Sequence, residues 1–147
     1  MPQTNAIHNV VYADDDIDDL DLVKDSFRQY SNNVQVITFK DGSQVLSYLK
    51  SLSAIDTPPC LIILDINMPI INGKDVLIRI RQIERYKSVP VVLFTTSSQP
   101  QDQSFANQYN AGFITKPLGI QQMEMITEQF IDHCAEEIRK NIRRLIQ

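Results

Sequence analysis

Cysteine is scarce in this 147-residue chain: there are two, Cys60 and Cys134, and they match neither a C-x-x-C motif nor a zinc-ligand pattern. Cys60 opens a buried apolar run and reads as a small core residue. Positive charge is also in short supply, with 14 Lys and Arg against 18 Asp and Glu, a net charge of -4 and a pI near 5.0. That balance argues against a general attraction to nucleic acid. The tail residues Arg139, Lys140, Arg143 and Arg144 are the local exception, and Glu136 and Glu137 before them make this segment a charged helical face. No apolar run reaches membrane-spanning length, and Met1–Ala6 has no basic segment leading into an apolar stretch, so a cytoplasmic protein without a secretion signal or membrane contact is expected. Repeats and low-complexity tracts are missing too. What remains, 43% hydrophobic and 22% charged residues, is the composition of a globular protein. At this length one domain over residues 1–147 is expected.

Short apolar runs alternate with segments of helical period, the pattern of a doubly wound five-stranded parallel α/β sheet. Strands are expected near residues 9–13, 34–39, 60–65, 90–95 and 112–115. Leu20, Val23, Phe27 and Tyr30 mark a first helix, Val45, Leu46, Leu49 and Leu52 a second, and Val76, Leu77, Ile80 and Ile83 a third. Residues 101–109 form a weaker helix, with Phe105, Ala106 and Tyr109 as its apolar contacts. A final helix from about 119 carries Met123, Ile126 and Phe130, and its stripe continues through Cys134, Ile138, Ile142 and Leu145. Unbroken to residue 147 it would run roughly 40 Å at about 1.5 Å per residue, longer than the domain is wide. The overhanging stripe is therefore expected to contact a second copy, with a fold-back onto the same chain as the other option.

Chemistry concentrates where the strands end. Asp14 and Asp15 close the first apolar run, Asp65 the third and Lys116 the fifth. In an open parallel sheet all these ends face one crevice, where ligands bind. Three carboxylates within about 4 Å of one another repel by roughly 4 kcal/mol per pair at an effective dielectric near 20, so folding demands a cation, raised pKa values, or both. Asp14, Asp15 and Asp65, with the backbone carbonyl of Asn67, make an oxygen set of the kind magnesium takes, with positions left for water and phosphate. Read alone, Asp14-Asp15-Asp16 is a solvated acidic turn, and Asp18, Asp19 and Asp21 suit the start of the following helix. Asp65 changes that reading because an aspartate has no packing reason to end the most apolar strand. Lys116 is the one Lys or Arg between residues 88 and 138, and its isolation points to an anionic partner. The Lys116-Pro117 bond is a candidate for the cis isomer, which would aim the amine into the crevice. Thr95, at the end of the fourth strand, either donates to a phosphoryl oxygen or caps the next helix together with Thr96, Ser97 and Ser98. Phe113, by itself, is a core aromatic.

Taken together these residues resemble the receiver domain of two-component response regulators, the chemotaxis-type flavodoxin-like fold. The resemblance rests on Asp14-Asp15, Lys40-Asp41-Gly42, Leu64-Asp65-Ile66-Asn67-Met68-Pro69 with Gly73, Thr95-Thr96-Ser97 and Phe113-Ile114-Thr115-Lys116-Pro117, in the family's order over residues 8 to about 132. It implies that Asp65 is the phosphoacceptor, taking its phosphoryl group from a sensor histidine kinase or phosphotransfer protein. Asp14 and Asp15 become the magnesium acids, Thr95 and Lys116 the phosphoryl contacts, and Phe113 the aromatic switch of an output face built from the fourth helix, fifth strand and fifth helix. Such a protein catalyses only its own phosphorylation and dephosphorylation, and it signals to a downstream protein. The connection Asn107–Gly112 is shorter than the family's usual one. Residues 133–147 are too few to fold as an output domain, so a stand-alone receiver with a C-terminal extension is expected. Two other functions stay open. A magnesium-dependent phosphohydrolase of the haloacid dehalogenase type would need a second acid two residues past the nucleophile, where this chain has Asn67. A scaffold that never takes phosphate would not need the full set of site residues.

Overall fold

A computed structural model describes residues 7–117 and 122–142. Strands β1 (His8–Ala13), β2 (Val34–Phe39), β3 (Leu61–Leu64), β4 (Val91–Thr95) and β5 (Gly112–Thr115) alternate with helices α1 (Ile17–Tyr30), α2 (Gly42–Ser51), α3 (Gly73–Gln82), α4 (Pro100–Gln108) and α5 (Met123–Asp132). The five strands form one parallel sheet in the order β2-β1-β3-β4-β5, the flavodoxin-like arrangement expected from the alternation of apolar runs. A short 3-10 turn, Glu84–Tyr86, follows α3 and has no counterpart in the expected elements.

Period-two alternation sends successive side chains to opposite faces, and each face has its own core. Val10, Tyr12, Leu61, Ile63, Val92 and Phe94 pack with Leu20, Val23 and Phe27 of α1 and with Phe130 and Ile131 of α5. Val11, Ala13, Ile62, Leu64, Val91 and Leu93 pack with Val45, Leu46 and Leu49 of α2 and Val76, Leu77 and Ile80 of α3. Three helices begin on side-chain caps: Asp16 accepts from the amides of Asp18 and Asp19, Asp41 from Gln44 and Asn72 from Asp75. The α4 helix has no such cap on Gln99. The short connection into β5 is closed by Asn110 at φ 54°, a left-handed conformation that Asn tolerates, and β5 still pairs with β4 from Val92 and Gly112 to Thr95 and Thr115.

The long final helix is not observed. The α5 helix ends at Asp132, His133–Ala135 turn the chain, and a short helix α6 (Glu136–Ile142) follows. Cys134 and Ile142 are buried in the core of the α1 and α5 face, with Ile138 packed against it. The segment is tied down at Asn141, whose side chain meets His8 at 3.0 Å and whose carbonyl accepts from Asn33 at 2.8 Å. The apolar stripe thus folds back, and the reason for expecting a second copy on it disappears for Cys134, Ile138 and Ile142. Leu145 lies outside the described residues. Because Ile142 is 1% exposed, Ile142→Ala is expected to cost about 2 kcal/mol, read as a lowered urea midpoint.

Candidate functional site

The backbone register brings the charged residues together. Asp65 N donates to Ala13 O at 3.0 Å, and Lys116 N to Thr95 O at 2.7 Å. Each residue is thereby fixed one step beyond its strand, at the carboxyl edge of the sheet. Gly73, at the start of α3, closes in beneath Asp65: a Cβ there would lie 2.1 Å from the Asp65 carbonyl oxygen, so only glycine allows this approach.

Asp14 and Asp65 are buried, at 0% and 7% exposure, while Asp15 is exposed. One carboxylate oxygen from each of the three lies within 4.8 Å of the other two. This spacing and all-oxygen chemistry fit a hard divalent cation. Asn67 stands exposed in the loop after β3. Lys116, with its side chain 11% exposed, donates to Asp14 Oδ2 at 2.7 Å, Asp19 Oδ2 at 2.8 Å and Asp65 Oδ2 at 3.3 Å. Those three bonds use all the donors an ammonium has. The Lys116-Pro117 bond is trans, since no cis peptide occurs among the described residues. The expectation of a cis bond fails because β5 already ends with Lys116 facing the acids.

Burial drives the Asp65 carboxyl up from 3.8 to about 6, Asp14 adds repulsion, and Lys116 offsets part of the rise. For Lys116 burial pulls the ammonium down, yet its bonds to Asp14 and Asp19 outweigh that and hold it above the ordinary lysine range. Tyr12 OH donates to Asp14 Oδ2 at 2.6 Å, and Asp16 N to Asp14 Oδ1 at 3.0 Å. Burial first, and the Asp14 charge second, push the Tyr12 phenol far up, so it remains a donor. Thr95 is fully buried, and its hydroxyl accepts from Ser97 N at 3.2 Å. Phe113 is half-buried against the α2 and α3 face of the core.

Two partners of the site lie outside the residues expected from the sequence. Asp19 suits the start of α1 by sequence, yet its side chain binds Lys116, and nothing local signals that pairing. Tyr12 lies inside the first expected strand, residues 9–13. It lies two positions before Asp14, so strand periodicity sets both on one side of the sheet, and that signal was available.

The model of the response regulator receiver domain matches residues 10–128. The chain is 26% identical over 115 residues to a probable methanogenesis regulatory protein, FilR2, of Methanothrix harundinacea, covering 76% of this chain and 74% of that one. It is 28% identical over 102 residues to the response regulator Rcp1 of Synechocystis, covering 68% and 69%. Among solved structures, the phosphorylated cyanobacterial phytochrome response regulator RcpA superposes with a TM-score of 0.80 at 25% identity, covering 90% of this chain and 96% of that one. The manganese-bound form of Rcp1 shares the fold, with a TM-score of 0.74 at 24% identity, covering 83% and 90%. Five parallel strands in this order, acids and a lysine at their carboxyl ends, and a family match over most of the sequence lead to one conclusion: the chain belongs to the response regulator receiver domains, the acceptor modules of phosphorelay signalling.

Proposed function

We propose that Asp65 accepts a phosphoryl group from the phosphohistidine of a sensor histidine kinase or phosphotransfer protein. The observation that carries this reading is a carboxylate 7% exposed at a strand end, crowded by Asp14 and bonded by the Lys116 ammonium. A carboxylate oxygen of Asp65 attacks phosphorus, the phosphorus–nitrogen bond of the donor breaks, and the leaving imidazole takes a proton. Phosphoryl transfer depends mainly on position and charge neutralisation. A magnesium ion held by Asp14, Asp15, Asp65 and the Asn67 carbonyl would supply positive charge against the phosphoryl oxygens; the manganese-bound form of Rcp1 supports a divalent ion in this role. Lys116 supplies a second positive charge by moving its weakest bond, the one to Asp65, onto a phosphoryl oxygen.

Thr95 turns its hydroxyl to the same group, and Phe113 fills the space it leaves, which reshapes the face of α4, β5 and α5 for a downstream protein. The receiver core spans about residues 8–132 and 133–147 form its extension. The protein works in the cytoplasm, contacts neither nucleic acid nor membrane, and catalyses only its own phosphorylation and dephosphorylation.

Incubation with magnesium and acetyl phosphate, followed by intact-mass measurement, tests the proposal. One added phosphoryl group is expected, absent in Asp65→Asn. Multiple turnover of an external phosphate ester would instead make the chain a hydrolase, and no gain in mass would make it a scaffold.

A further inference from the structure

Asp102 is an acid that the site described above does not use, yet it is 7% exposed in the first turn of α4. It bridges two elements. Its Oδ1 pairs with the ammonium of Lys74 in α3, and its Oδ2 accepts from Ser97 Oγ at 2.5 Å. Both partners hold its carboxyl below the ordinary aspartate value, Lys74 most strongly. Ser97 also accepts at Oγ from Gln99 N, and its own amide is the group that binds the Thr95 hydroxyl. A continuous series of polar contacts therefore runs from Lys74 through Asp102 and Ser97 to Thr95. Lys74 also stands 5.2 Å from the centre of the Phe105 ring in α4. Phe105 packs on the same core as Phe113.

We propose that Asp102 is a positioning residue that, through Ser97, holds Thr95 in its unphosphorylated orientation, and that Lys74, by sharing the Asp102 carboxylate, sets how tightly Ser97 is held and so how readily the phosphorylated state is populated. The inference rests on the proposed role of Thr95. When the Thr95 hydroxyl turns to a phosphoryl group on Asp65, it releases the Ser97 amide, and Ser97 following it leaves a buried carboxylate with one partner fewer. Losing a hydrogen bond to a buried carboxylate is costly, so the Ser97–Asp102 bond favours the resting arrangement, and Lys74, which stays on Asp102 in both states, makes that loss less costly. Whatever stabilises one state alone shifts the equilibrium by its differential interaction with the two states.

Fluoroberyllate, added with magnesium and followed by fluorine NMR, measures that equilibrium directly. Asp102→Asn is expected to tighten fluoroberyllate binding about tenfold, within the range typical of coupled sites, whereas Lys74→Met, which leaves Asp102 dependent on Ser97 alone, is expected to weaken it. The double variant should bind like Asp102→Asn alone, because Lys74 acts through that carboxylate, and Lys74→Arg should keep the affinity near that of the unaltered protein. A merely structural ion pair would lower the unfolding midpoint of both variants and leave fluoroberyllate affinity where it was. Folded variants with unchanged affinity, checked by circular dichroism, would overturn the positioning role while the unaltered protein still bound. If the unaltered protein itself bound no fluoroberyllate, the role of Asp65 would fall, and the positioning role with it.

Discussion

Lys116→Met is expected to lower the stability of the metal-free protein by about 3–5 kcal/mol at pH 7.5, the usual cost of removing one partner from a buried ion pair. The magnitude follows from what the ammonium neutralises. Asp14 is wholly buried and Asp65 nearly so, and Lys116 bonds both along with Asp19. Without it, three carboxylates face one another with no cation among the described side chains close enough to pair with them. The Asp65 carboxyl, which Lys116 holds down in part, then rises further. An acid whose folded pKa exceeds its unfolded one stabilises the fold as pH falls, so the deficit should shrink by pH 5. Urea unfolding at the two pH values checks this, and millimolar magnesium at pH 7.5 should restore part of the loss. A variant as stable as the parent at pH 7.5 would mean that the acids are neutralised by something other than Lys116.

Asp65→Asn moves stability the other way. In the folded protein the Asp65 carboxyl titrates at about 6, against 3.8 for an unperturbed aspartate. The fold therefore holds a proton that the unfolded chain does not across that interval. The contribution of Asp65 to stability is highest below 3.8, falls as pH rises through the interval, and levels off above about 6. At about 1.4 kcal/mol per pH unit the span amounts to roughly 3 kcal/mol. An isosteric amide removes the charge, so Asp65→Asn should be more stable than the parent by about 2–3 kcal/mol at pH 7.5, with the difference vanishing near pH 4. The residue proposed to carry the phosphoryl group is thus a source of instability in the metal-free protein. Equal stability of the two proteins across this range would show that Lys116 fully compensates Asp65.

Much of this architecture is legible in the residues. Runs such as Leu61–Leu64 are buried on both faces, which makes them continuous apolar strands that end abruptly in charge, and parallel topology then sends those charges to one edge. The break after Asp132 was not legible, because a stripe through Cys134, Ile138 and Ile142 suits one long helix as well as two short ones. No Gly or Pro marks the turn. Distance in sequence hid the other misses. Asp19 meets Lys116 across 97 residues, and Asp102 meets Lys74 only once α3 and α4 lie side by side. A charged residue in a first helical turn looks the same whether it faces water or a buried ammonium.

The fold-back of α6 separates two ends of the molecule. Asn141 grips His8 and Asn33, where β1 and β2 enter the sheet, while the acids gather where the strands leave it. A fluorophore or affinity handle joined to an exposed residue of α6 would sit at the pole opposite the crevice. Such an attachment would leave the crevice unobstructed, and immobilised protein would present its acidic pole to solution.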